Sequence, residues 1–146
     1  MRILLTMCLV TPLLALAQPY VSIRSDHEAL ARQMLSDVIA MDTSVTMKET
    51  PKMAEYLAGH LLEAGFGADS IIPIDLGEDG TSLVVRYKGK NPRLKSIGFM
   101  AHMDVVTAFR KDWELDPFAL TERDGYFIGR GTADNKAGVV SLVVTF

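Results

Sequence analysis

The chain has 146 residues with 15 Lys+Arg against 18 Asp+Glu, a formal charge of −3, and is 49% hydrophobic with a single cysteine. Length allows one domain and excludes a multidomain machine. With a pI near 5.6 there is no basic excess to neutralise a phosphate backbone, so no nucleic-acid partner is expected, and the apolar content excludes low-complexity disorder.

Much of the hydrophobicity sits at the amino terminus. Arg2 is followed by an apolar run from Ile3 to Leu16 and then by Ala15-Leu16-Ala17 ahead of Gln18. One positive charge, a short apolar stretch and a small-x-small site read as a secretory signal peptide over residues 1–17, and Pro12 weakens a long helix there. The run falls short of the roughly 20 apolar residues that span a bilayer. An uncleaved anchor is the alternative, and a lipid anchor on Cys8 is disfavoured by bulky Met7 before it. The expectation is a secreted or periplasmic chain with no stable membrane insertion after cleavage. Removing Arg2 and Cys8 leaves no cysteine, so residues 18–146 are held by their core or by a metal, with His and carboxylate as the ligands on offer.

The mature part is treated as one folding unit. From about Asp26 to Met41, Ala29, Leu30, Met34, Leu35, Val38 and Ile39 recur at helical spacing, with Ser25 or Asp26 as N-cap. A second helix is marked by Thr50 as N-cap, Pro51 at its first position, a stripe of Met53, Tyr56, Leu57 and Leu61, and Gly65 as the stop. His60 lies within it, and neither His60 nor His27 is assigned a role. After Gly67 the period changes. Ile71 to Leu76, Ser82 to Tyr87 and Ser96 to Met100 read as strands, separated by turn residues Gly77-Glu78-Asp79-Gly80 and Gly89-Lys90-Asn91-Pro92. This order suggests an α/β sandwich. Phe118 to Leu120 and Tyr126 to Ile128 flank Asp124-Gly125, a hairpin turn. Ala137 to Phe146 is nearly all apolar and fits either a buried helix or a strand.

Two stretches carry chemistry. In the first, the strand from Ile97 runs into His102-Met103-Asp104, at the carboxyl end where open α/β sheets place ligands. Residues i and i+2 of a strand share a face, so His102 and Asp104 can interact, and a carboxylate beside an imidazole is the partner a metal-binding histidine wants. An ordinary polar pair at a strand end has the same signature. The second is Gly129-Arg130-Gly131-Thr132-Ala133-Asp134-Asn135-Lys136-Ala137-Gly138, a glycine-bracketed loop entering an apolar segment. Asp134 is there either a helix N-cap or a carboxylate presented to a cation by a rigid turn. A phosphate loop is excluded, because the third glycine and the Gly-Lys-Ser/Thr ending are missing.

Taken together, Ala101-His102-Met103-Asp104-Val105-Val106, Trp113, Asp116-Pro117-Phe118, Asp124-Gly125 and the Gly129 to Gly138 loop resemble the first half of the catalytic domain of M20-family zinc metallopeptidases, a group of carboxypeptidase, desuccinylase and aminoacylase-like hydrolases. The resemblance covers roughly Asp26 onward, the helical region only in pattern. It implies a partial three-layer α/β/α zinc-exopeptidase-like catalytic domain, incomplete at its C-terminus. It also implies a co-catalytic pair of zinc ions, with His102 ligating one, Asp134 bridging both, and Asp104 acting at the catalytic site by orienting His102. The Asp134–Asn135 peptide is expected to be cis. Arg130 and Lys136 are expected to position the loop, with Trp113 and Phe118 packed beneath it.

The reaction implied is metal-dependent hydrolysis of a small peptide or N-acyl amino acid. The family's general-base Glu, its further zinc ligands and its dimerisation domain have no counterpart in these residues. The expectation is therefore an amino-terminal portion, inactive and aggregation-prone by itself, with homodimers possible only in a full-length form. A non-catalytic remnant or binding domain that keeps the α/β scaffold is the alternative.

Overall fold

The computed structural model of the chain describes residues 25–146; the proposed signal segment, residues 1–17, lies outside them. Two amphipathic helices come first, α1 (Ser25–Ile39) and α2 (Thr50–Glu63). Strands β1 (Ile71–Asp75) and β2 (Thr81–Val85) form an antiparallel pair running from Ile71 opposite Val85 to Asp75 opposite Thr81. A second, smaller pair, β3 (Thr121–Arg123) and β4 (Tyr126–Ile128), precedes the closing helix α3 (Lys136–Thr145). The chain is a mixed α/β fold in which α1 packs on α3 and α2 packs on β1 and β2.

The helical spacing read from the sequence selects the faces that are buried. Met34, Leu35, Val38 and Ile39 of α1 meet Met53 and Leu57 of α2 and Val139 and Val140 of α3 in one core. Ala29 and Leu30, in the first turns of α1, stay exposed. The nearly all apolar Ala137 to Phe146 stretch resolves as helix through Thr145, packed on α1.

Three expectations are corrected in detail. Thr50 is not the N-cap of α2; Glu49 occupies that position, and the Thr50 Oγ1 instead accepts the Thr81 N–H at 3.1 Å, tying the start of α2 to β2. Gly80 faces that hydroxyl with φ +94°, and a Cβ there would collide with it. The first strand of the small hairpin is Thr121–Arg123, not Phe118 to Leu120. Asp124 and Gly125 both have positive φ, the signature of a two-residue type I′ turn, which forces Arg123 to pair directly with Tyr126.

The third correction concerns Ser96 to Met100. These residues form no strand, and Ile97 and Met100 are 80% and 95% exposed. Alternating apolar character makes a segment able to pair, but a strand exists only where another backbone supplies its hydrogen bonds. The chain next acquires a neighbour at Val105, which forms an isolated parallel bridge with Ser44. No helix among the described residues is long and apolar enough to cross a membrane.

Candidate functional site

His102 and Asp134 come together. The His102 Nε2 lies 2.7 Å from the Asp134 Oδ1, across 32 positions of sequence. On the other side of the ring, Nδ1 lies 3.0 Å from the Asp104 backbone carbonyl and 3.3 Å from the Asp104 carboxylate. The i, i+2 relation expected of His102 and Asp104 therefore holds although the residues before them form no strand, and the nearer partner is the carbonyl rather than the carboxylate. Nδ1–H donates to that carbonyl, which leaves Nε2 to face Asp134. With an acceptor oxygen at each ring nitrogen, the imidazole gains protons readily. Its pKa is raised, first by the hydrogen bond to Asp134 and then by the Asp104 carbonyl. The pair lies at the surface, with the Asp134 side chain 85% exposed.

Asp134 is delivered by the glycine-bracketed loop. It does not cap α3. Asn135 holds the N-cap position, and the Asp134–Asn135 peptide is cis. Gly131, with φ +97°, turns the chain where a Cβ would press within 2.9 to 3.0 Å of the Lys136 stem and the Val105 side chain. Gly138 leaves room for the Asn135 carboxamide directly above it. These are close approaches that only glycine permits.

Lys136 anchors the loop from below. Its side chain is fully buried, and Nζ donates to the Val38 carbonyl at 2.7 Å and the Met41 carbonyl at 2.6 Å, at the carboxyl end of α1. A cation there also meets the negative end of the helix dipole. Burial lowers its pKa to about 8, against the opposing attraction of Asp42 and Glu49. The Arg130 guanidinium stacks 5.1 Å from the Trp113 ring, and its backbone N–H donates to the Pro117 carbonyl at 2.7 Å. Both basic residues thus hold the loop rather than line the site, as the family resemblance implies.

One contributor escaped the sequence reading. Thr43 is 1% exposed, and its hydroxyl donates to the Met103 carbonyl at 2.6 Å, between His102 and Asp104. A buried threonine in a connection has no periodicity to betray it. The only hint was a polar Thr43-Ser44 pair directly after an apolar helix end.

An imidazole nitrogen facing a carboxylate oxygen, with the other ring nitrogen held by its own partner, is a donor set of the type zinc takes. In kind, then, the residues present fit such an ion. Among the described residues no group of three or more His, Cys, Asp or Glu is arranged to hold a metal ion, so His102 and Asp134 amount to part of a shell. A cleft of about 230 Å³ lies between α1, α2 and the end of α3, lined by His27, Met34, His60 and Phe146, and includes neither site residue.

Comparison with known proteins covers the same stretch of sequence. Residues 98–146, which contain both site residues, match the model of peptidase family M20/M25/M40. The chain is 31% identical to a Beta-Ala-His dipeptidase of Rattus norvegicus over 134 residues, covering 80% of this chain and 26% of that protein. It is 40% identical to a succinyl-diaminopimelate desuccinylase of Bordetella petrii over 89 residues, covering 60% and 22%. An acetylornithine deacetylase of Pasteurella multocida is 35% identical over 117 residues, covering 77% and 29%. The chain spans about a quarter of the length of these relatives. The motif stretch that brings His102 to Asp134 is also the stretch that the family model recognises, and the chain belongs to peptidase family M20.

Proposed function

We propose that the chain supplies the His102 and Asp134 portion of a two-zinc centre that hydrolyses peptide or N-acyl amide bonds. The observation that carries this reading is the 2.7 Å approach of the His102 Nε2 to the Asp134 Oδ1, inside the segment matched to the family. The relatives act, by their names, on a dipeptide, a succinylated amine and an acetylated amine. A small peptide or N-acyl amino acid is the substrate class those names share.

His102 would hold one ion through Nε2, and Asp134, with two carboxylate oxygens, would bridge the pair. With zinc bound, the Asp104 carbonyl would keep the proton of His102 on Nδ1, so that Nε2 would offer its lone pair to the ion. Zinc, when bound, supplies Lewis acidity that polarises a scissile carbonyl and acidifies water. Lys136, Gly131 and Arg130 keep the Asp134 carboxylate where His102 meets it. The described residues offer fewer than the roughly four donors that one zinc takes, so we expect no turnover from the 146-residue chain alone. The amino-terminal pattern of residues 1–17 supports export to a secreted or periplasmic location.

Equilibrium dialysis of the chain against zinc, compared with His102→Ala and Asp134→Asn, tests the assignment. Each substitution is expected to weaken zinc binding at least about tenfold. Zinc binding indifferent to both substitutions would remove the metal assignment and favour the second reading, a non-catalytic domain, which the lack of a three-donor group among the described residues supports. Turnover of dipeptides or N-acyl amino acids by the chain, abolished by Asp134→Asn, would refute the expected inactivity.

A further inference from the structure

The two halves of the site are not joined by backbone. Among the described residues no backbone hydrogen bond links residues 101–107 to residues 129–136. Both halves attach instead to the same short connection, residues 41–44, where Met41, Thr43 and Ser44 are buried. On one side, the Met41 carbonyl accepts the Lys136 ammonium at 2.6 Å. The Lys136 N–H in turn closes on the Gly131 carbonyl at 2.9 Å, completing the loop that carries Asp134. On the other side, the Thr43 hydroxyl donates to the Met103 carbonyl at 2.6 Å, and the Val105 N–H donates to the Thr43 carbonyl at 3.4 Å. The Thr43 N–H itself donates to the Met41 carbonyl at 3.1 Å. That carbonyl therefore receives the lysine of one half and the amide of the residue that grips the other.

We propose that Thr43 is a positioning residue for the site, its hydroxyl fixing the His102–Met103–Asp104 backbone against the Lys136-anchored loop so that His102 meets Asp134. The inference deepens the metal-centre reading above and rests on it for the consequence for zinc binding, whereas the His102–Asp134 geometry itself needs no metal. The contact is short, its donor side chain is buried, and it is directed at the carbonyl of Met103, the residue between His102 and Asp104. Shape alone does not replace it. Valine fills the same volume but leaves the Met103 carbonyl without this donor, and the segment that carries His102 then keeps only the long Val105 N–H contact to residue 43.

The test uses the full, metal-free chain, isotope-labelled, at one fixed pH. Long-range proton–nitrogen correlations of the His102 ring report the hydrogen bond to Asp134, and zinc calorimetry is run alongside. Thr43→Val is expected to shift the His102 ring nitrogens and to weaken zinc binding about tenfold, while Thr43→Ser, which keeps the hydroxyl, restores both. Unchanged His102 ring signals in Thr43→Val, or a Thr43→Ser variant no better than Thr43→Val, overturns the proposal. Should Thr43→Val fail to fold, Thr43→Cys takes its place, keeping the volume with only a weak donor, under the same two criteria. Failure of the parent chain to bind zinc would count against the metal centre alone, because the ring signals decide the role of Thr43 without it.

Discussion

Replacing Lys136 by methionine separates the two things this side chain does. Its stem fills a fully buried slot, and its ammonium donates to the Val38 and Met41 carbonyls at 2.7 and 2.6 Å. Methionine keeps most of the stem and loses the donors. A hydrogen bond from a charged donor contributes about 1.5–3 kcal/mol net. The low end applies, because each carbonyl keeps a backbone donor: the Met41 N–H on Val38 at 3.3 Å and the Thr43 N–H on Met41 at 3.1 Å. Two such bonds give about 3 kcal/mol. Release of a buried charge returns part of this, since burial already lowers the ammonium pKa to about 8. The expected net destabilisation is about 1–3 kcal/mol. Lys136→Ala also empties the slot and is expected to lose about 3–5 kcal/mol. Urea unfolding followed by the fluorescence of Trp113, the single tryptophan, measures both, and a 2 kcal/mol loss moves the midpoint by about 1 M. A methionine variant as stable as the parent would refute the anchor, and the buried ammonium would then be a burden that the fold tolerates.

Further expectations concern other parts of the structure. Gly131→Ala adds a Cβ at φ +97°, 2.9 to 3.0 Å from Lys136 and Val105, and should cost about 2–4 kcal/mol in the same unfolding assay; Gly89→Ala, with open space around it, is the neutral control. The Tyr56 hydroxyl donates to Asp37 at 2.7 Å, and burial, with help from that carboxylate, raises its pKa above the ordinary 10. The folded chain therefore holds this proton after the unfolded chain has released it. The contribution is intact below pH 10 and declines as the pH rises above it. Tyr56→Phe should lose about 1 kcal/mol at neutral pH and show a shallower fall in stability above pH 10 than the parent; parallel pH profiles would contradict the assignment. The Asp124-Gly125 turn needs positive φ at both positions. Gly125→Val should therefore weaken the small hairpin by at least about 1 kcal/mol, read as faster amide exchange at Arg123 and Tyr126.

Where the reading of the sequence and the structure agree, the signal is local. The spacing of Met34, Leu35, Val38 and Ile39 and of Met53, Leu57 and Leu61 needs nothing beyond one helix to be recognised, and these side chains are buried. Gly65 ends α2 with φ +95°, and Asp124-Gly125 turns the hairpin, because backbone sterics act on single residues. The motif residues stood out only in combination, through the family resemblance of His102-x-Asp104 and the Gly129 to Gly138 loop together; the residues of either stretch alone fit a structural role equally well.

Other features required the folded chain. Ser96 to Met100 has the composition of a strand and forms none, since pairing depends on a neighbour that composition does not name. The Thr50 hydroxyl serves Thr81 rather than its own helix. Burial of Lys136, a residue type ordinarily exposed, follows from the meeting of α1 and α3. The grip of Thr43 on Met103 spans 60 positions. Local propensities reach only about one helical turn along the chain, so the residue types suited to a cation site were written in the sequence, whereas the 2.7 Å separation of His102 and Asp134 was decided by packing between segments that carry no information about one another.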